Sequence, residues 1–189
     1  MEWAARLAIA SGAAKGLVFL HSKKVVHGNI KSMNVLLDKE GVARWSDYGL
    51  LQKLAPAKAE ALRPSGANPN GYTPPEVASG GKMITYKGDV YSFGVLLLEL
   101  ITGKSPMTLF PEEGGVHLPK WVESCARHVE AVDPWIREKF THENDVLYDE
   151  VLGLLRIALS CVSPSPDKRP HMVEIVKHIQ DLIETRGNV

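Results

Sequence analysis

The chain has 189 residues, of which 44% are apolar and 23% are charged, so it is long enough for one domain with a substantial core. Lysine plus arginine and aspartate plus glutamate both number 22, which gives a formal net charge of zero. This balance argues against a nucleic-acid-binding protein with a basic surface, and against charge-driven binding to an anionic membrane.

The cysteines and the apolar segments indicate the compartment. Cys125 and Cys161 stand in separate predicted helices without a CxxC pattern, which favours reduced structural thiols over the weaker alternative of a zinc or redox pair. No basic region followed by an apolar one opens the chain, so no signal peptide is expected. The apolar stretch from Phe93 to Ile101 is too short to span a bilayer. We therefore expect a soluble, intracellular domain with no transmembrane segment.

The first half of the chain predicts one long helix and a small hairpin. Residues 2–21 carry apolar residues at the spacing of a one-sided helix, at Trp3, Leu7, Ala10, Ala14, Leu17 and Val18. Two short strands are predicted at Val35–Leu37 and Val42–Trp45, joined by a turn over residues 38–41. Residues 50–84 contain five of the twelve prolines and are predicted to form an extended loop, of the length that is usually functional or disordered.

The second half predicts helices only. From Asp89 to Thr102 the chain is apolar on nearly every side, which predicts a central helix with Asp89 as its N-cap and Gly103 as its stop. Three further helices are predicted near residues 118–128, 146–162 and 171–185. No internal repeat or heptad pattern is present.

Five short motifs occur in a fixed order along the chain. They are His27-Gly28-Asn29-Ile30-Lys31-Ser32-Met33-Asn34, Asp47-Tyr48-Gly49, Pro74-Pro75-Glu76, Asp89-Val90-Tyr91-Ser92-Phe93-Gly94 and Asp167-Lys168-Arg169-Pro170. Together they resemble the catalytic loop, the magnesium-binding motif and three later landmarks of a protein kinase. The resemblance covers essentially the whole chain, 1–189, and the wording is most similar to plant receptor-like kinases, including leucine-rich-repeat members with atypical catalytic loops.

This resemblance implies an α+β, mainly α fold: the large C-terminal lobe of a kinase with a small β-hairpin, the small N-terminal lobe missing, and an activation-segment-like loop at 47–76. No G-x-G-x-x-G motif or strand lysine is found in the sequence, so half of the family's nucleotide site is missing from this chain. We therefore expect weak or absent Mg-ATP binding and no measurable phosphotransfer by this chain alone.

The resemblance also implies the roles of the site residues. Asn34 and Asp47 would supply oxygen ligands to Mg²⁺, which prefers such atoms, and Lys31 would neutralise charge on the transferred phosphate. Leu36 would form the floor beneath the adenine ring, and Gly49 would let the aspartate point inward. The alternative interpretation is that Asn34 and Asp47 only cap turns.

The catalytic loop departs from the family where the chemistry is most demanding. Asn29 occupies the position of the catalytic aspartate, and an amide cannot accept a proton at neutral pH. Gly28 occupies the position of an arginine that, in many kinases, pairs with a phosphorylated activation loop. Control by that pairing is not expected here, although Ser65, Tyr72 and Thr73 provide hydroxyl groups in the corresponding segment.

Other matching residues are expected to be structural. Glu76 and Arg169 occupy positions that form a buried ion pair in the family, with two unrelated surface charges as the alternative. Asp89 is expected to accept hydrogen bonds from the backbone near His27, which we interpret as a framework residue. Tyr48 replaces the more common phenylalanine and adds a hydroxyl that needs a partner.

Three classes of function remain open. The chain is a catalytically impaired pseudokinase lobe acting through protein partners in signalling, a fragment of an active serine/threonine kinase, or a non-functional remnant with an exposed apolar surface. The resemblance implies a cytoplasmic location, on the cytoplasmic side of the plasma membrane for the parent family. The sequence identifies neither the partner nor the substrate.

Overall fold

The computed structural model describes residues 1–54, 71–80, 85–107, 116–141 and 145–187. The helices and strands in chain order are α1 (Trp3–Ser22), β1 (Val35–Leu37), β2 (Ala43–Trp45), α2 (Pro75–Ala78), α3 (Tyr86–Thr102), α4 (Leu118–Ser124), α5 (Pro134–Arg137), α6 (Val146–Cys161) and α7 (Met172–Gly187). The expected α+β, mainly α class is confirmed, with a two-stranded antiparallel sheet beside a helical core.

Helix α3 lies at the centre of the core, as its apolar pattern predicts. The α3 side chains with no solvent exposure are Phe93, Val95, Leu97, Leu98 and Ile101. Helix α3 packs most extensively against α6, and a Cβ at Gly94 would lie only 2.6 Å from the Cβ of Cys161. The glycine therefore permits a close approach of the two helices that any side chain would prevent.

The start of α3 differs from the prediction. The helix begins at Tyr86, and its N-cap is Thr85, whose hydroxyl accepts a hydrogen bond from the Gly88 backbone N–H at 2.8 Å. Asp89 was therefore wrongly predicted as the cap; it lies within the first turn, with its carboxylate bonded to another segment. The predicted stop at Gly103 is correct, since this residue has φ +68° in the left-handed region.

The hairpin forms where it was predicted and rests on α1. Residue Val35 pairs with Trp45 across the two strands, and the turn closes through Gly41 at φ +77°. The Trp45 indole N–H donates to the Ala13 carbonyl at 2.8 Å. This contact places the base of the hairpin directly against the first helix.

The remaining helices are confirmed with altered bounds. The helix predicted near 118–128 ends at Ser124, because Cys125 takes up extended backbone, and a separate 3-10 turn follows at His128–Ala131. The loop predicted at 50–84 contains a 3-10 turn at Leu51–Lys53 and the short helix α2, and its residues 55–70 and 81–84 lie outside the described part of the chain. Neither α2 nor α5 was predicted, although each has proline at its first position.

One helix meets the length and composition of a membrane span. Helix α1 has 20 residues with a mean hydropathy of 1.3 over its most apolar window, so the prediction that drew on Phe93–Ile101 alone overlooked it. In this structure 56% of that window is buried inside the protein, and its inward face packs against α7 and β2. Core helices of soluble proteins pass the same test, so α1 is only weak evidence for a membrane span.

Candidate functional site

The backbone of the loop at residues 27–30 is held by the side chain of Asp89 in α3. One carboxylate oxygen accepts the His27 backbone N–H at 2.8 Å, and the other accepts the Gly28 N–H at 2.9 Å. The same carboxylate also contacts the His21 imidazole at 2.9 Å. These bonds agree with the expected role of Asp89, and they explain why its side chain is unavailable to cap α3.

His27 is a framework residue by its surroundings. The side chain has no exposed surface, and its ring packs edge-on against Trp45 with centroids 4.8 Å apart. Burial lowers the pKa of this imidazole, although the nearby Asp89 carboxylate acts in the opposite direction. Its Nδ1 accepts the Asn29 N–H at 3.3 Å, as the neutral ring can. A neutral, buried ring of this kind positions the loop and is not placed to carry protons to solvent.

A hydrogen bond joins the Asn34 side chain to the backbone of Asn29. The Asn34 amide nitrogen donates to the Asn29 carbonyl at 2.7 Å, and Asn34 is only 5% exposed. Because the nitrogen is used in this bond, the oxygen Oδ1 is the atom that remains for a ligand. The Asn34 carbonyl in turn accepts the Ser46 N–H at 3.0 Å. The hairpin register thus brings Asn34 beside the residue that precedes Asp47.

Asp47 leaves the hairpin with an exposed carboxylate. Its backbone has φ +57°, an uncommon value for a residue other than glycine, and Gly49 follows at φ +68°. The Gly49 N–H donates to the His27 carbonyl at 3.1 Å, and a Cβ on Gly49 would lie 3.1 Å from a Val25 methyl group. Glycine is therefore favoured twice at this position, by its backbone angle and by the tight space for a side chain.

A cleft of about 640 Å³ opens beside this loop. Its walls are formed by residues 27–30, by Asp47, by apolar side chains of residues 50–54 and by residues 72–74. The cleft brings together His27, Asn29, Asp47 and Asp89 from the predicted set. Among the described residues, no group of three or more His, Cys, Asp or Glu side chains is placed to hold a metal ion.

Other predicted residues lie outside the walls of the cleft. Lys31 and Asn34 are not among its lining residues, Leu36 is 55% exposed on β1, and Tyr48 is 50% exposed with its ring edge towards His27. An exposed apolar side chain at Leu36 is compatible with the predicted floor of an adenine site. The roles of Lys31, Asn34 and Leu36 remain predictions.

A hydrogen-bonded group that sequence reasoning missed fastens the loop to α3. The Tyr72 hydroxyl contacts Glu99 and accepts the Ser32 N–H at 3.2 Å, while the Ser32 hydroxyl donates to Glu99 at 3.1 Å. Burial raises the pKa of the Tyr72 phenol and, as the largest cause, that of the Glu99 carboxyl. Of the three hydroxyl residues named in this segment, Tyr72 and Thr73 are buried, and Ser65 lies outside the described residues.

The expected ion pair between Glu76 and Arg169 is present and is bidentate. Both nitrogen–oxygen distances are 2.7 Å, and the Arg169 side chain has no exposed surface. The guanidinium also donates to the Ser163 and Lys87 carbonyls, at 2.8 and 2.9 Å, and lies over the Tyr91 ring. One arginine therefore ties α2 to the start of α3 and to the segment before α7.

Comparisons with known proteins agree with this geometry. The sequence profile of the family described as "Protein tyrosine and serine/threonine kinase" matches residues 1–179. A probable leucine-rich repeat receptor-like protein kinase of Arabidopsis thaliana is 45% identical over 192 residues, covering 96% of this chain and 27% of the relative. A probable inactive receptor kinase of the same plant is 44% identical, covering 100% of this chain and 28% of the relative. The chain thus spans little more than a quarter of these relatives.

Solved structures with a similar fold are also kinase domains. The pseudokinase domain of BIR2, described as an immune regulator of the RLK/Pelle family, matches with a TM-score of 0.78 and 33% identity, over 98% of this chain and 54% of that domain. The kinase domain of maize SIRK1 bound to AMP-PNP matches with a TM-score of 0.76 and 33% identity, over 94% of this chain and 58% of that chain. Both matches cover about half of a kinase domain.

Proposed function

This chain belongs to the protein tyrosine and serine/threonine kinase family, as part of a receptor-like kinase, and we propose that it acts in signalling by binding protein partners and not by phosphotransfer. The observation that carries the proposal is Asn29. Asn29 is one of the residues that line the cleft, and it occupies the position where the family places a catalytic carboxylate. An amide can orient a hydroxyl group, but it cannot remove its proton.

The size of the catalytic loss follows from this chemistry. A general base contributes roughly 10²–10⁴ in rate, so its absence is severe even where the other groups are in place. The framework around the cleft is intact, with the 27–30 backbone held by Asp89 and the activation-segment end held by Arg169. A cleft that keeps its framework but lacks a general base is suited to binding a partner without phosphotransfer.

The side chains present fit a bound Mg²⁺ ion in part. Asn34 keeps its amide oxygen available, Asp47 has an exposed carboxylate, and Mg²⁺ binds one or two protein oxygens together with substrate phosphates. Asn34 and Asp47 would hold Mg²⁺, Leu36 would lie beneath an adenine ring, and Lys31 would face the phosphates. The ion, when bound, would neutralise phosphate charge. Residues 1–189 contain no glycine-rich loop to cover those phosphates, so we expect weak or absent Mg-ATP binding.

Transfer of labelled phosphate from Mg-ATP to a generic protein substrate tests the proposal. We expect incorporation by the chain to equal that of its Asp47→Ala variant, because that variant removes a metal ligand from a chain already without a base. Incorporation above the Asp47→Ala background would contradict the proposal. An Asn29→Asp variant shows whether the missing base is the limiting defect: its rate would then rise above that of the parent chain.

The alternative is a fragment of an active serine/threonine kinase, favoured by the presence of Lys31, Asn34 and Asp47. A ligand that binds only the folded state raises the melting temperature, so a clear shift with Mg-ATP that disappears in Asp47→Ala favours this alternative. A non-functional remnant would instead aggregate through exposed apolar side chains such as Met33 and Leu36, which light scattering detects.

The partners and location follow from the family and remain proposals. We propose protein partners in kinase signalling on the cytoplasmic side of a membrane, as the receptor-like relatives suggest. The equal numbers of acidic and basic residues give no support to a nucleic-acid partner.

A further inference from the structure

The segment that follows Asp47–Gly49 is attached to residues 24–28, which lead into the loop that lines the cleft. The Gly49 N–H donates to the His27 carbonyl at 3.1 Å, and residues 51–53 then form a 3-10 turn. This turn lies against residues 24–28 through the side chains of Leu51 and Gln52. The position of the segment start is therefore determined by contacts with the backbone of a second loop.

The Gln52 side chain makes the polar part of this attachment. Its Oε1 accepts the Val26 backbone N–H at 3.0 Å, and its Nε2 donates to the Lys24 carbonyl at 3.2 Å. Lys24 has φ +60°, so the bond is made to a residue in an uncommon turn conformation. The pair of bonds uses both functions of the amide: a carboxylate could accept but not donate, and a lysine could donate but not accept.

The apolar part of the attachment is formed by Leu51, which lies beside Gly28. Gly28 has φ +75°, and a Cβ placed on it would contact the Leu51 side chain at 3.6 Å. Kinase activation loops are commonly ordered by phosphorylation, through new pairs between arginine and the phosphorylated residue. At residue 28 this chain has no charge to offer such a phosphate, and a leucine lies against the position instead.

We propose that Gln52 is a positioning residue that fixes the start of this segment against residues 24–28 without any phosphate. The wall of the cleft formed by residues 50–54 is then present in the unmodified protein, ready for a partner. As a means of regulating the binding cleft, this role of Gln52 rests on the proposed function. The contact itself involves neither nucleotide nor metal.

Hydrogen exchange of the Val26 amide, followed by NMR on the unphosphorylated full chain, tests the proposal. We expect Val26 to be protected in the parent chain and to exchange at least ~10-fold faster in Gln52→Met, which keeps the side-chain length and removes both hydrogen bonds. The matched control is Gln180→Met, the same change on the exposed surface of α7, which should leave Val26 unaffected. The Leu97 amide in α3 reports global unfolding, and Val26 exchange that is faster than Leu97 exchange in the same variant identifies local opening.

Two further variants separate the two hydrogen bonds. Gln52→Glu keeps the acceptor for Val26 and loses the donor to Lys24, so its effect should be smaller than that of Gln52→Met. Gln52→Asn keeps the amide one methylene shorter, so it cannot reach both partners and should resemble Gln52→Met; it also serves if Gln52→Met does not fold. Exchange of Val26 in Gln52→Met within about twofold of the parent chain would overturn the proposal.

Phosphorylation provides the second arm of the experiment. The parent chain, confirmed as unphosphorylated by intact mass, should show the full protection of Val26, and treatment with an active serine/threonine kinase and ATP should not increase it. Protection that appears only after phosphorylation would overturn the proposal. Neither arm of the experiment measures phosphotransfer by the chain. The exchange results can therefore be interpreted even if the proposed function is wrong.

Discussion

The backbone of the loop at residues 27–34 and the Asn29 side chain differ in how their polar groups are matched. Asp89 accepts two backbone N–H groups, and Glu99 is bonded to both Ser32 and the Tyr72 hydroxyl. Asn29 lines the same cleft as Asp89 and Tyr72, but its side chain makes no hydrogen bond with any described residue. The shape of the loop therefore does not depend on the side chain that would perform the chemistry.

This separation has a physical basis. Buried hydrogen-bonding groups that lose a partner destabilise the fold, whereas a solvated side chain in a cleft can change at little cost in stability. An amide at residue 29 therefore removes a proton acceptor and leaves the framework intact. Variants that weaken the framework should therefore affect stability far more than changes to the Asn29 side chain.

The largest effect is expected for Arg169→Met. Its guanidinium is fully buried and serves Glu76 and two carbonyl groups, so we expect the free energy of unfolding to fall by about 3–5 kcal/mol. Urea denaturation followed by circular dichroism measures this change.

The matched control is Arg44→Met. Arg44 forms an ion pair with Asp38 at 3.0 Å but its side chain is 68% exposed, so this loss should be about 0–1 kcal/mol. Equal losses in the two variants would show that burial of the Arg169 pair contributes nothing beyond the contact itself.

A smaller effect is expected for Tyr72→Phe, which removes one hydrogen-bond donor from Glu99. We expect a loss of about 1–2 kcal/mol in the free energy of unfolding at neutral pH. Burial already raises the pKa of Glu99, and the Tyr72 hydroxyl opposes that rise, so the variant should raise this pKa further. A group whose pKa is raised on folding stabilises the fold when protonated, so the loss should shrink as the pH falls towards ~5.

Tyr86→Phe is the control for this variant. Tyr86 is 43% exposed, and its ring contact with His21 is kept by phenylalanine. Thermal denaturation at several pH values should show little change for Tyr86→Phe at any of them. A loss in Tyr72→Phe that is the same at every pH would show that the Glu99 carboxyl is not coupled to the Tyr72 hydroxyl.

Sequence reasoning predicted features that depend on local pattern or on a motif, and missed those that depend on packing between distant segments. The apolar run of α3 and the turn of the hairpin follow from residue order alone, and Glu76 and Arg169 were paired through two motifs. Gln52 was missed because its partners lie 26 and 28 residues away and a glutamine in a loop carries no signal of its own. Asp89 was misassigned as a cap because its sequence context is equally typical of one, and only the structure shows which N–H groups its carboxylate meets.

The smallest effect is a pH dependence that arises from His27. Burial lowers the pKa of this imidazole below its ordinary value of about 6.5, so the unfolded chain binds a proton that the folded chain excludes. The stability contributed at neutral pH is therefore lost as the pH falls through the unfolded value towards the lower folded value. His27→Asn keeps an acceptor near the Nδ1 position but does not titrate, so its free energy of unfolding should fall less over this range, even if it is lower throughout. His171→Asn, on the exposed surface before α7, should retain the pH dependence of the parent chain. If His27→Asn shows the parental slope, the imidazole is not held neutral by burial, and the framework around His27 is accessible to protons.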